Sequence, residues 1–209
     1  MRVSGDGRSS SLFLFGNGGP RVYGHAMMDP VVIRPYRELA HNAHSQHELN
    51  AIFFSSSTQQ AFASEAEKEA FRERWLGRYL EHDPQLAFAA VIPNGSIVGY
   101  IAGSADDPAL APRFSDIGYF QTFKDLTSAY PAHFHVNLAP AFRGRSIGAS
   151  LVETFVTAVK RTGAPGLHVV TGRNARNVAF YQRQGFIEAG AAGTGTKPII
   201  FLARPLSHS

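Results

Sequence analysis

Hydrophobic positions change their period several times along this chain, and each change marks an element. "VVIRPY" (31–36) is short and rich in β-branched residues, so it reads as a strand. "RELAHNAHSQHELNAIFF" (37–54) carries a helical spacing. "SEAEKEAFRERWLGRYLEHDP" (64–84) is a more regular helix: Phe71, Trp75 and Tyr79 recur on one face, Ser64 and Glu67 form a capping box, and Pro84 imposes the stop. "LAFAAVI", "PNG" and "SIVGYIAGSA" together predict a hairpin turning at Asn94-Gly95. Residues 105–131 are rich in loop formers, with a short helix expected near 120–126. "AHFHVNL" (132–138) is a strand, and 146–162 is a helix with Ile147, Leu151, Phe155, Ala158 and Val159 inward. "GLHVVT" (166–171) is a strand, "NARNVAFYQRQ" (174–184) a helix closed by Gly185, and "PIIFLARP" (198–205) a last strand.

The order β-α-α-β-β-β-α-β-α-β predicts an α/β fold, a mixed sheet with helices on its faces. No internal repeat is visible. Residues 1–28 are different: Gly- and Ser-rich, without helical period, and ending in Met27 and Met28. They read as a tail or extension, leaving 29–209 as one domain. The "GNGG" at 16–19 lacks the Lys-Ser/Thr and the opening helix that a phosphate loop needs.

Composition narrows the chemistry. Twenty basic against sixteen acidic residues give a net charge of +4, spread without a Lys/Arg block, which argues against a nucleic-acid partner. With no cysteine there is no disulfide framework, thiolate nucleophile or thiolate metal site. No apolar run approaches the roughly eighteen residues of a membrane span, and "SLFLF" is too short for a signal-peptide core, so a cytoplasmic protein is expected. His41, His44 and His47 are spaced by three, but on a helix they fan over about 120°, a wet face or an acceptor-site wall rather than a metal site.

The sharpest local signal is "AFRGRSIGASL" (141–151). It leaves a strand and opens a helix whose first amides have no internal partners, at the positive end of the helix dipole. Such a terminus is a ready anion site. Gly144 and Gly148 admit close backbone approach, and Arg143 and Arg145 add donors for phosphate oxygens. Some 30 residues on lies "NARNVAFYQRQGF" (174–186).

In this order and spacing the two motifs resemble the GCN5-related N-acetyltransferase (GNAT) superfamily. Arg143-Gly144-Arg145-Ser146-Ile147-Gly148 matches its Q/R-x-x-G-x-G/A loop; Asn174, Val178, Tyr181, Gly185 and Phe186 match its second motif. "VVIRPYRELA" resembles its first strand and helix start. The resemblance spans roughly 30–204. More narrowly, "YPAHFHVNLAPAFRGRSIG" and "GAPGLHVVTGRNARNVAFYQRQGF" resemble bacterial acetyltransferases near the acetyltransferase-like domain of some O-GlcNAcases. Ser146 stands where the superfamily usually has Gly; a serine is an acceptable N-cap, though its Cβ narrows the approach of a pyrophosphate.

The resemblance implies one domain with a mostly antiparallel sheet of six to seven strands, splayed between the fourth and fifth, and helices on both faces. It implies acetyl-CoA as donor, its pyrophosphate on 143–149 (Arg143, Gly144, Arg145, Ser146, Ile147, Gly148, Ala149). Its pantetheine would lie in the splay between 133–138 and 167–171, near the backbone of Leu138, with Asn174 and Asn177 on the arm. Tyr181 occupies the position that protonates the departing thiolate. An amine acceptor attacks directly and needs a base or a water relay unless its own pKa is low; His133 and His135 share a strand face, His135 being preferred and Asp116 an outsider. A bulge is expected in that strand. The acceptor would enter between the first helices and the 105–131 loop. Partners are then acetyl-CoA and an amine of a small molecule or peptide, with no metal, nucleic acid or membrane; a homodimer is left open. The alternative is a non-catalytic CoA- or peptide-binding domain of the same fold.

Overall fold

A computed structural model describes residues 30–193 and 198–206. The tail expected at 1–28 lies outside the described residues. Seven strands form one sheet: β1 (Val32–Pro35), β2 (Ala87–Val91), β3 (Ile97–Ser104), β4 (Ala132–Leu138), β5 (Gly166–Gly172), β6 (Ile187–Ala192) and β7 (Ile199–Pro205). Their order is β1-β2-β3-β4-β5-β7-β6. Every neighbouring pair is antiparallel except β4 and β5. That pair shares register only at Ala132↔Leu167 and His133↔His168, and the strands part beyond it. The expected splay between the fourth and fifth strands is therefore present.

Helices cover both faces. On one lie α1 (Ala43–Ser56) and α2 (Glu65–Arg72), which runs through a π turn (Glu73–Gly77) into α3 (Arg78–His82). Leu49, Leu76, Tyr79, Tyr100 and Phe114 form the core there. On the other lies α6 (Ile147–Lys160), after two short helices α4 (Gly118–Thr122) and α5 (Lys124–Thr127), and before α7 (Val178–Arg183). Leu151, Phe155 and Val159 of α6 pack on Phe134, Leu167 and Leu202.

Local chemistry explains most boundaries. Ser64 Oγ accepts from the Glu67 amide at 3.1 Å, while the Glu67 carboxylate accepts from Ala63 at 2.6 Å, a capping box shifted by one residue. Gly95 takes φ +90 in the hairpin turn. Two helices start later than predicted. α1 begins at Ala43, because Asn42 Oδ1 accepts from His44 at 2.9 Å and the preceding Tyr36–Glu38 forms a 3₁₀ turn. α7 begins at Val178, since 173–177 form turns. Strand β6, "IEAGAA", was not predicted; its small residues carry no β-branched alternation, and pairing to β7 makes it a strand.

The bulge expected in β4 is absent: β3–β4 register runs unbroken from Gly99↔Leu138 to Ser104↔His133. The irregularity sits between β2 and β3, where Ala90 faces Gly99 and Val91 faces Ile97. There the Ile97 amide donates to Glu48 of α1 at 2.8 Å, so a side chain satisfies it. With β4 regular, its odd residues His133, His135 and Asn137 all face α1–α3.

Candidate active site

The splay opens a cavity of about 150 Å³. His133, His135 and Asn137 of β4 line it, with His168 of β5, Asn177 before α7 and Tyr181 within α7. Tyr119 and Phe120 of α4 close it on the side of the covering loop. The cavity thus brings the predicted acid, both predicted bases and one predicted binding residue into one space.

Tyr181 is buried, its ring 6.1 Å from that of Phe134 and 5.7 Å from that of Phe186. Burial pushes its phenol above the ordinary range, so it keeps its proton at neutral pH. His135 is half-buried between Trp75 and Tyr79, with ring centroids 5.8 and 5.4 Å away. Desolvation lowers its pKa to about 4. His133 is more enclosed, ringed by Tyr79, Phe114, Phe120 and His168, and burial holds it well below the usual value, with His168 adding to the shift. Both imidazoles are consequently neutral at pH 7, in the form that accepts a proton. Asp116, the outsider, does not line the cavity: Arg78 grips it at 2.7 and 2.9 Å and Arg74 lies at 3.2 Å, which keeps its carboxyl below the ordinary range. That clasp ties the loop to the helix at 65–82, and Trp75 stacks on Tyr119 across the same seam.

The arginine-glycine loop ends at the α6 N-terminus. The Ser150 amide donates to Ser146, the first intrahelical bond, so the amides of Ile147, Gly148 and Ala149 have no acceptor within the helix. Arg143, Gly144 and Arg145 are exposed beside them. Arg143 Nε donates to the Leu138 carbonyl at 3.1 Å, and Arg145 lies over the Phe142 ring at 5.2 Å. Leu138, at the end of β4, packs its side chain toward Gly148.

Two expectations need correcting. Ser146 is not a capping serine: it sits at φ +61 and its side chain makes no capping bond. Left-handed backbone explains why Gly is usual there; Gly144, at φ +73, meets the same demand without a Cβ. Nor does Gly148 serve ligand approach alone, because a Cβ there would stand 3.3 Å from Phe180, so its smallness lets α6 meet α7. Asn174 lies exposed in the turn after β5 and does not line the cavity, whereas Asn177 does and accepts from Thr171 Oγ1 at 3.0 Å.

Sequence reasoning missed His168, Asn137, Trp75 and Tyr119. His168 was findable in principle: parallel pairing of "HFH" with "LHV" puts His133 and His168 side by side, but the register is not written in either strand. Among the described residues, no three His, Cys, Asp or Glu side chains are grouped to hold a metal, and no helix is long and apolar enough to cross a membrane.

The fold recurs among solved structures. The structure named SsHAT is 24% identical, with a TM-score of 0.66, covering 84% of this chain and 98% of that one. A GCN5-related N-acetyltransferase from Kribbella flavida is 16% identical, with a TM-score of 0.57, covering 84% and 98%. The NatC complex bound to Gag peptide and CoA gives 16% and 0.58, covering 85% and 99%. At these identities the likeness establishes the fold alone. The sequence supplies the rest: the Acetyltransferase (GNAT) family model matches residues 47–186, well over half of the chain. This protein belongs to the acetyltransferase (GNAT) family and is an acyltransferase enzyme.

Proposed function

We propose that the protein transfers an acetyl group from acetyl-CoA directly to the nitrogen of an amine. The observation that carries this is the joining of Tyr181 and the β4 histidines in one cavity of the β4–β5 splay. The free amides of 147–149, with Arg143 and Arg145 beside them, suit the pyrophosphate of the donor. The pantetheine would then run into the splay along β4.

In this reading the amine nitrogen attacks the thioester carbonyl and the carbon–sulfur bond breaks. Sulfur leaves as thiolate and takes the Tyr181 proton, while the nitrogen gives up a proton to His135. Proton return from the imidazolium to the phenolate through solvent closes the cycle, so the net products are an N-acetylamine and CoA. A raised phenol is a weaker acid than one in water, but the same apolar cavity raises the thiol, so the pair stays matched. His135, at about 4, pulls weakly on a proton, which favours an amine that arrives already neutral.

The test is thiol release from acetyl-CoA across a panel of amines, followed by Tyr181→Phe. The variant keeps the ring packing and should lose on the order of 10²-fold in kcat, with CoA affinity little changed. Full activity in Tyr181→Phe removes the acid role. CoA binding without acetylation of any amine returns the protein to a binding domain.

A further inference from the structure

Resting on that reading, the cavity also specifies what kind of amine it takes. None of its lining side chains is an Asp, Glu, Lys or Arg among the described residues. The wall toward the covering loop is Tyr119, Phe120 and imidazole, with Trp75 stacked behind Tyr119 at 6.4 Å. Three carboxylates of the covering segments are already taken: Asp116 by Arg78 and Arg74, and Asp83 and Asp106 by Arg113 at 2.8 and 2.9 Å. A buried ammonium without a counter-ion costs several kcal/mol. Aromatic faces return only about 0.5–2 kcal/mol per cation. A substrate with two or more cationic groups finds no carboxylate in the lining to hold the second; Asp107, whose charge reaches His168, lies outside it.

What the cavity offers instead is hydrogen-bond acceptors. His133 Nδ1 meets the Pro131 carbonyl at 3.1 Å, and His168 Nδ1 meets that of Tyr130. A carbonyl only accepts, so each Nδ1 carries the proton and each Nε2 presents a lone pair. Both Nε2 atoms are buried and have no partner among the described residues. The two rings stack with centroids 5.5 Å apart. An unmet acceptor of this kind costs about 1–3 kcal/mol, which an N–H donor removes. The volume, about 150 Å³, is close to that of a cavity which elsewhere holds benzene, and the acetyl end of the donor must share it, so only a small body fits.

We propose that the acceptor is a compact primary amine with a single amino group on a small apolar body, bound uncharged with one N–H toward the His133–His168 pair and the other toward His135. Polyamines, aminoglycosides and peptides fall outside this class.

Trp75 is the only tryptophan of the chain and packs on Tyr119 and His135 of the lining, so its emission reports occupancy through them. The full-length protein is titrated at mildly alkaline pH with benzylamine and, separately, with spermidine. Benzylamine should change the emission saturably at concentrations at least about tenfold lower than spermidine, a gap of about 1.4 kcal/mol. Asn137→Asp, which adds a carboxylate to the lining, should narrow that ratio towards spermidine. Spermidine binding as tightly as benzylamine, no response to either, or a ratio unmoved in a well-folded Asn137→Asp protein would each overturn the proposal. The two readings separate cleanly. Benzylamine binding without acetyl-CoA turnover removes the transfer reading and leaves this one, whereas efficient acetylation of spermidine in preference to benzylamine does the reverse.

Discussion

Ser146 shows how a single backbone angle can carry more information than a side chain. At φ +61 it pays roughly 1 kcal/mol of left-handed strain, and its hydroxyl returns nothing through capping. Ser146→Ala should therefore be nearly neutral, within about 0.5 kcal/mol, where loss of a true N-cap costs about 1. Ser146→Gly should stabilise by up to about 1 kcal/mol, less the entropy that glycine gains on unfolding. Chemical denaturation of the two variants decides it: a clear loss in Ser146→Ala restores the capping role. The sequence could place residues that sit on one motif, because the loop at Arg143 and Gly144 and the cavity-lining Asn177 and Tyr181 depend on local order. His168 and Asn137 were not, because their place at the cavity depends on strand register, and neither was Trp75, whose packing on Tyr119 and His135 depends on a helix some 60 residues from β4. Ser146 was misread for a related reason, since residue type suggests a cap and only the dihedral denies it.

Among the elements, period and punctuation located strands and helices but not their first turns. Asn42 sets the start of α1 by accepting from the His44 and Ser45 amides, and the turns at 173–177 delay α7. β6 escaped because a strand of Ala, Gly and Glu shows itself only through its partner. The register of β3 against β4 matters most for the site, and Gly103 guards it. A Cβ at 103 would collide with the His133 carbonyl and with the Phe134 and Phe155 side chains. None of these can yield cheaply, since one is ladder backbone and Phe155 is fully buried. Gly103→Ala should thus cost about 2–4 kcal/mol and displace His133. Gly99→Ala is the comparison: its worst contact is the flexible end of Leu138, so its cost should be smaller. Equal midpoints for the two variants in urea would mean that β4 moves freely against β3, and the fixed geometry at His133 would be lost with it.

For the whole molecule, the buried imidazoles tie stability to pH. His135 and His168 are lowered to about 4 and His133 well below its usual value, all chiefly by desolvation of the charged form. In the unfolded chain each regains a pKa near 6.5. Between those values the unfolded state binds more protons, so stability is complete above about pH 6.5 and falls as the pH drops towards about 4. Each histidine contributes a slope of at most about 1.4 kcal/mol per pH unit. Paired carboxylates add little in this window. Asp116, lowered by Arg78, gives up its stabilisation only below the carboxylate range, and Asp83, raised by burial, pushes weakly the other way. For a domain of ordinary stability, about 5–15 kcal/mol, three such slopes are enough to lower the melting temperature steeply well before carboxylates titrate. Scanning calorimetry from about pH 7.5 to about pH 4.5 should show that fall, with more than one proton taken up per molecule on unfolding near pH 5. His168→Phe, whose ring continues the stack between Phe201 and His133, should remove about one of those protons and flatten the curve. A melting temperature constant from pH 7 to pH 5 would mean that the histidines are solvated, and the uncharged cavity on which the acceptor reading depends would go with them.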